Sequence, residues 1–139
     1  DYRAENKVTY RYGGCNNATF TFVLNLSEAD DVTLYIIADC RPATSTSVSN
    51  SVFSYNQQPK TNSSNNPYIK ASTINGSSEG ITPSSETYSS IGWNNFSNYE
   101  LGVYSLVKGV NTITFTIGGD NINVCGVVVV SNATIKLGK

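Results

Sequence analysis

The sequence predicts an all-β protein, with roughly eight to ten strands arranged as a sandwich or jelly roll. Apolar residues alternate with polar ones over several short segments, which is the period-two pattern of half-buried strands. Turn-forming residues separate these segments at intervals of about ten residues. No segment holds a helical period for three turns. The chain has the length of one domain and no internal repeat, so residues 1–139 are interpreted as a single module.

The first third of the chain contains the clearest alternation. A short strand is predicted around Val8, and two longer strands are predicted at 19–26 and 32–38, with an acidic turn at 27–31 between them. Because the two longer segments flank one short turn, we expect them to pair as a hairpin. Their inward-facing residues are Phe20, Phe22, Leu24, Leu26, Val32, Leu34, Ile36 and Ala38.

The middle of the chain is rich in Ser, Thr, Asn and Pro, and it contains fewer strand signals. Strands are predicted at Val52–Tyr55 and Tyr68–Ile74, and the turn dipeptide Asn75-Gly76 ends the second. Another strand is expected near 101–107, after the segment Gly92-Trp-Asn-Asn-Phe96. The segments expected to be loops are 41–51, 57–67 and 80–90.

The stretch 104–130 is the most regular part of the sequence. Its Lys108-Gly109 turn precedes a segment in which three threonines alternate with apolar residues, and we expect a hairpin around that turn. A polar corner at 120–123 leads into a second apolar strand, and a final strand is predicted at 133–137. The apolar residues of the threonine segment are Ile113, Phe115 and Ile117.

Composition argues against several functions. Charged residues make up only 14% of the chain and the net charge is −1, so nucleic acid is not an expected partner. No apolar run approaches the roughly 20 residues that cross a bilayer, so a membrane is not expected either. The first residue is not Met, which favours a segment cut from a longer chain.

Catalytic motifs are not recognisable in the sequence. Histidine is absent, which removes the commonest general base and the commonest transition-metal ligand. Ten carboxylates are present, but Glu28, Asp30 and Asp31 share a turn and the others are scattered singly. We therefore expect a chain without enzymatic activity of its own.

Three cysteines are present, Cys15, Cys40 and Cys125, so at least one thiol has no partner within the chain. In the predicted hairpin, residue i lies opposite residue 57 − i, which places Cys40 near Asn17 and at the same end as Cys15. A Cys15–Cys40 disulfide is therefore predicted, since the two Cα atoms need to lie only about 4.4–6.8 Å apart. Three unpaired thiols remain the alternative.

Aromatic and amide side chains are the best-supported candidates for binding. The chain has nine Tyr, five Phe and one Trp, and aromatic rings stack on sugar faces while Asn, Gln and Ser bond hydroxyls. Trp93 lies in a predicted loop, not in a strand pattern. The alternative roles are structural: a core or rim position for Trp93, turn formation for Asn121, and strand packing for Tyr10 and Tyr12.

Four motifs in order resemble those of the carbohydrate-binding modules of families 35 and 6. They are Ala4-Glu5-Asn6 after an aromatic residue, the paired alternating segments 20–38, the segment Leu106-Val-Lys-Gly-Val-Asn-Thr-Ile-Thr-Phe-Thr116, and Asn121-Ile-Asn-Val124. The resemblance spans nearly the whole chain and implies a β-sandwich of jelly-roll type. It also implies a ligand site in the loops at one end of the sandwich.

Transferred to this sequence, the resemblance implies three binding roles. Trp93 would stack on a sugar face, Asn121 would bond hydroxyls, and Tyr12, with Tyr10 as the alternative, would form the opposite wall. The implied partner is a polysaccharide or oligosaccharide of the mannan, xylan or β-glucan class. Low charge favours a neutral glycan, although Arg41 or Lys70 could recruit a uronic acid.

The structural calcium of the family is expected to be weakened or lost. Glu5 matches a residue of that site, but Arg3 stands where an acidic or amide residue is usual, and Asn123 replaces the usual aspartate. A guanidinium beside Glu5 can neutralise its carboxylate much as a cation does. No other cofactor is expected.

By the same resemblance, the chain is expected to be a monomeric module of a larger multimodular protein, secreted or at the cell surface. The parent would be a glycoside hydrolase or surface protein acting on the plant cell wall. The alternative is an adhesin-type or protein–protein interaction domain that uses the same fold without a sugar pocket.

Overall fold

The computed structural model describes residues 2–10, 18–40, 52–55, 68–89, 95–118 and 122–138, and every regular element among them is a β-strand. No helix in these ranges is long and apolar enough to cross a membrane. The strands are β1 (Tyr2–Tyr10), β2 (Ala18–Leu26), β3 (Asp30–Cys40), β4 (Val52–Tyr55), β5 (Tyr68–Ile74), β6 (Ile81–Pro83), β7 (Thr87–Ser89), β8 (Ser97–Leu106), β9 (Gly109–Gly118), β10 (Ile122–Ser131) and β11 (Ile135–Leu137).

The strands form two sheets that pack face to face. Sheet A has the order β1-β10-β3-β8-β6, and sheet B has the order β11-β2-β9-β5-β4-β7. Neighbouring strands are antiparallel except for β4 and β5, which run parallel. The predicted fold class, an all-β sandwich, is therefore confirmed.

The order of the strands is that of a jelly roll with three additions. Successive strands change sheet at every connection except the one between β4 and β5. Strands β1, β10, β3 and β8 form one four-stranded layer, while β2, β9, β5 and β7 supply the other. The additions are β4, inserted between β5 and β7, and β6 and β11 at the sheet edges.

Both predicted hairpins are wrong. Strand β2 pairs with β9 and β11 in sheet B, whereas β3 pairs with β10 and β8 in sheet A. Likewise, β8 and β9 lie in opposite sheets. Alternation reports which side chains face the core, and two strands on opposite sides of one core share that pattern without pairing. The short turns after β2 and β8 are corners at which the chain crosses between sheets.

The core lies between the sheets and contains the alternating residues that were predicted to face inward, which are buried. Phe115 of β9 stacks on Phe20 with ring centroids 5.1 Å apart and meets the edge of Phe22 at 6.4 Å. Ser72 of β5 joins the sheets through a 2.7 Å hydrogen bond to the Tyr104 hydroxyl. This hydrogen bond crosses the interface between the two apolar layers.

The corner between β8 and β9 is held by one buried amide. Asn111 is 0% exposed, and its Oδ1 accepts the Val107 amide hydrogen at 3.0 Å. Its Nδ2 donates to the carbonyl oxygens of Val107 at 2.9 Å and Gly109 at 3.0 Å. The Lys-Gly-Val-Asn motif therefore forms a crossing between the sheets, and its asparagine hydrogen-bonds to the backbone of the corner.

Strand β6 reaches sheet A because β8 carries a glycine where the two approach. A methyl group at Gly102 would lie 2.2 Å from the Thr82 carbonyl oxygen, and its φ of 139° is in the region that favours glycine. The register of β8 against β3 shifts between Leu34 and Tyr35 at the same level. This bulge bends β8 where the added edge strand packs.

Most predicted strand positions are confirmed, with β4 and β5 matching residue for residue. Strand β1 is longer than the short segment expected around Val8. The Asn75-Gly76 turn is confirmed, with φ values of 51° and 85° and a bridge from Ile74 to Ser77. Strands β6 and β7 correct the prediction of an irregular 80–90 segment.

Candidate functional site

The two ends of the sandwich differ in their connections. At one end, short described connections join β2 to β3, β8 to β9 and β10 to β11. The opposite end is called here the loop end, and it consists of strand termini that register places side by side. Ala18 lies beside Ile117, Cys40 beside Ile122, and Tyr68 beside Gly118. The loop end also includes Tyr10, next to Val124, Ser97, next to Ala38, and Ser89, next to Val52.

Trp93, Asn121 and Tyr12, the three predicted ligand contacts, lie outside the described residues. The strand termini that flank their segments are described. Segment 11–17 runs between Tyr10 and Ala18, segment 119–121 runs between Gly118 and Ile122, and segment 90–94 precedes β8. All of these segments therefore join the sandwich at its loop end. Tyr10 is the last residue of β1, and its backbone lies opposite Val124.

Phe96 is an aromatic residue of the loop end that sequence reasoning did not single out. Its side chain is 43% exposed, directly before β8 begins, and its neighbours Asn95 and Asn98 are also exposed. An exposed aromatic ring between amides has the chemistry of a sugar contact. Phe96 belongs to the same Trp-Asn-Asn-Phe96 motif as Trp93.

A buried carboxylate also lies at the loop end. Asp39 is 1% exposed near the end of β3 and is directly opposite Asn123 of β10. Alternation along β3 places Asp39 on the side of the strand opposite Ala38, which faces the core. This end of sheet A therefore contains a buried carboxylate that sequence reasoning did not detect.

The described backbone separates two residues that the calcium prediction combined. Glu5 lies opposite Val128, whereas Asn123 lies five positions earlier on the same β10 strand. Five positions along a strand span roughly 16 Å, so the two residues belong to different parts of sheet A. No group of three or more His, Cys, Asp or Glu side chains in the described ranges could hold a metal ion. The weakened calcium remains a prediction.

Strands β2 and β3 do not pair, so residue i does not lie opposite residue 57 − i, and the pairing that predicted a Cys15–Cys40 disulfide is wrong. Cys15 lies outside the described residues, and the Cys15–Cys40 disulfide remains a prediction. The backbone of Cys40 lies opposite Ile122, and Cys125 is three positions further along β10.

The acidic pair Asp30 and Asp31 lies at the opposite end of the sandwich and has structural partners. The Asp30 carboxylate accepts the Ser131 hydroxyl at 2.6 Å and the Asn132 amide at 2.9 Å. The hydrogen bond from Ser131 is the largest cause that lowers the pKa of Asp30 below its ordinary value of 3.8. The Asp31 carboxylate accepts the Ser105 hydroxyl at 2.7 Å. Asp30 is therefore hydrogen-bonded to β10, and Asp31 is hydrogen-bonded to β8.

In the described ranges, the loop end thus carries an exposed aromatic residue, exposed amides and a buried carboxylate. Its scaffold consists of termini from both sheets, each fixed by a neighbouring strand. No family model matches the chain, and no curated protein or solved structure matches it either.

Proposed function

We propose that the chain is a non-catalytic carbohydrate-binding module and that the loop end binds the glycan. The resemblance to families 35 and 6 assigns the stacking role to Trp93, hydroxyl binding to Asn121, and the opposite wall to Tyr12 or Tyr10. The observation that carries the proposal is topological. The segments that contain Tyr12, Trp93 and Asn121 are widely separated in sequence, yet all join termini at one end of the sandwich.

The exposed chemistry of the loop end supports a sugar ligand. Phe96 adds an exposed ring, and Asn95 and Asn98 add exposed amides close to it. Rings stack on the apolar C–H face of a pyranose, while amides donate to and accept from its hydroxyls. Asn98 lies in β8, which pairs with β3 at this end, so its backbone is already held when a ligand binds and less conformational entropy is lost.

The low charge of the chain supports a neutral polysaccharide of the mannan, xylan or β-glucan class. A module of this kind keeps a larger glycan-degrading enzyme or surface protein close to its substrate. The proposed setting is a secreted or cell-surface protein that acts on the plant cell wall. Catalysis would then belong to another part of the parent protein.

The test is retention by glycans in affinity electrophoresis against mannans, xylans, β-glucans and pectins. We expect the wild-type chain to be retarded by at least one neutral glycan and Trp93→Ala to lose that retardation with an unchanged Tm. Val107→Ala is the matched control, because Val107 is 53% exposed at the opposite end of the sandwich. Full retardation of Trp93→Ala would contradict the assigned site, and release of reducing sugar would contradict the non-catalytic role.

One observation favours the alternative, an interaction domain without a sugar pocket. The outer face of sheet A carries the half-buried apolar side chains Tyr35, Ile37, Val103 and Val130. Apolar outer faces are common at protein–protein contacts. A glycan panel without any hit, together with capture of a defined protein partner that Ile37→Lys abolishes, would favour this alternative.

A further inference from the structure

We propose that Asn75 is a site of spontaneous covalent modification and that its contact with strand β9 controls the rate. In this reaction the Asn75 side chain cyclises onto the backbone nitrogen of Gly76, and water then opens the ring to leave a carboxylate. Asn75 is the only asparagine of the sequence that is followed by glycine. The reaction needs no ligand, so it is independent of the proposed glycan binding.

The chemistry is an intramolecular acyl transfer. The Gly76 amide nitrogen loses its proton and bonds to Cγ of Asn75, while the Cγ–Nδ2 bond breaks and the side-chain nitrogen leaves as ammonia. One water molecule then hydrolyses the resulting succinimide ring, either to aspartate or to isoaspartate, in which the main chain runs through Cγ. Glycine favours the first step because it has no side chain to obstruct the attack, and the two reacting groups belong to neighbouring residues.

Asn75 and Gly76 are the two central residues of the tight turn that follows β5. The residues on either side, Ile74 and Ser77, exchange backbone hydrogen bonds of 2.8 and 2.9 Å. The φ values of Asn75 and Gly76 are 51° and 85°, as in a type I′ turn. Both residues are exposed, and a methyl group at Gly76 would meet no atom within 4 Å beyond its chain neighbours. Water can therefore reach the Gly76 nitrogen and the Asn75 side-chain amide.

Two hydrogen bonds to Thr112 of β9 hold Asn75 in place. The Asn75 Oδ1 accepts the Thr112 amide hydrogen at 2.8 Å, and the Asn75 amide donates to the Thr112 carbonyl oxygen, also at 2.8 Å. On its other side, the backbone of Thr112 lies opposite Val23 of β2, so it is fixed within sheet B. The Asn75 side chain therefore has to leave Thr112 before its Cγ can rotate towards the Gly76 nitrogen, and the rate should follow the opening of this contact.

The two products differ in their effect on the fold. Aspartate keeps the length of the main chain, and its carboxylate can accept the Thr112 amide hydrogen as the Asn75 oxygen did. Isoaspartate adds one carbon atom to the main chain of a two-residue turn, and a type I′ turn does not accommodate the longer path between Ile74 and Ser77. We therefore expect the isoaspartate form to have a lower Tm than the aspartate form.

The measurement is the rate of carboxylate formation at Asn75 in mildly alkaline buffer, followed by peptide mapping with mass spectrometry. A synthetic peptide of residues 73–79 and the chain unfolded in urea give the rate without the fold. We expect the folded chain to react at least about tenfold more slowly than the peptide, because two hydrogen bonds must open first. The unfolded chain should react at the rate of the peptide.

Two substitutions at Thr112 test whether the contact with β9 controls the reaction. Thr112→Pro removes the amide hydrogen that Asn75 accepts, and proline fits a strand position whose N–H bonds to a side chain and not to another strand. Thr112→Val keeps that hydrogen and is the matched control. We expect the folded Thr112→Pro variant to react at least about fivefold faster than wild type and Thr112→Val to stay within about twofold of it. Tm is recorded for both variants.

A reaction at Asn75 that is slow in the folded chain and fast in the peptide and in Thr112→Pro supports the proposal. Equal rates in the folded chain and the peptide would overturn it, because the contact with β9 would then not control the reaction. A folded Thr112→Pro variant that reacts like wild type would overturn it as well. So would a faster reaction at another asparagine of the unfolded chain. If Thr112→Pro does not fold, the comparison of folded chain, unfolded chain and peptide decides the outcome.

Discussion

At the scale of single residues, several polar side chains form hydrogen bonds between strands that are distant in sequence. Asp30, the first residue of β3, holds the turn that follows β10 by accepting hydrogen bonds from Ser131 and Asn132. The Ser131 hydroxyl in turn accepts the Ala133 amide at 3.0 Å. The carboxylate therefore organises the crossing from β10 to β11, and its charge state affects the stability of the fold.

The Asp30 contacts predict a pH dependence. Because they lower the pKa of Asp30 in the folded state, the ionised form stabilises the fold above the ordinary value of 3.8. That contribution is lost as the pH falls through the lowered folded-state pKa. We therefore expect Asp30→Asn to be less stable than wild type at neutral pH and the difference to shrink as the pH falls below 3.8.

Urea unfolding at a series of pH values measures this difference. Asp31→Asn is the comparison variant, since Asp31 is the adjacent carboxylate and also bonds a serine hydroxyl. If the free energies of unfolding of wild type and Asp30→Asn differ by a constant amount across the acidic range, the stabilisation by Asp30 does not depend on its charge.

Sequence reasoning identified the buried face of the main strands at this scale but not the residues exposed at the loop end. Leu34 and Ile36 are buried as the alternation predicts, because period-two burial is a local property of a strand. Tyr68 could not be selected in the same way. Its ring is held by Gly118, a residue fifty positions later that becomes its neighbour only when β5 and β9 pair.

At the scale of elements, the corners between sheets define the fold. Strands β2 and β3, and likewise β8 and β9, are joined by turns short enough for hairpins, yet each pair is divided between the two sheets. The β8–β9 corner is held by Asn111, whose three hydrogen bonds satisfy backbone groups of Val107 and Gly109. The buried amide therefore stabilises this turn in the form that crosses between the sheets.

Asn111→Ala is predicted to destabilise the fold by roughly 3 kcal/mol, because it leaves one backbone amide and two carbonyl groups without their bonds at a buried position. Thermal and urea unfolding measure the change. The neighbouring Val110→Ala is the control, since Val110 is 46% exposed and should change stability by less than about 0.5 kcal/mol. Equal effects of the two substitutions would mean that the corner is not held by the amide.

Some strands carry a clear local sequence signal and others do not, for a physical reason. Strands β4 and β5 were located residue for residue because turn-forming residues border them. Strands β6 and β7 were missed because each has only three residues and β6 includes Pro83. The approach of β6 to β8 depends on Gly102, which lies twenty residues away in sequence and gave no local signal near β6.

At the scale of the whole molecule, the jelly-roll order explains how a binding end is assembled. Alternation between sheets at almost every connection returns the termini of β1, β3, β7 and β9 to the loop end. Segments from all parts of the sequence can then meet there, as the proposed function requires of Tyr12, Trp93 and Asn121. At the opposite end, short connections cross between the sheets, and side chains such as Asp30 form hydrogen bonds to neighbouring strands.

The charge of the whole chain leads to a last prediction. A net charge of −1 and only 14% charged residues leave little electrostatic attraction for an ionic ligand, so stacking and hydrogen bonding to a neutral glycan should carry the affinity. Such contacts are little affected by screening, whereas attraction between exposed charges is largely removed at high salt. We therefore expect Kd for the retained glycan to change by less than about twofold between roughly 0.05 M and 0.5 M NaCl. A steep, steady weakening with salt would identify a charged glycan such as a uronic acid polymer, and Lys70→Ala would then test whether the cation beside Tyr68 is responsible.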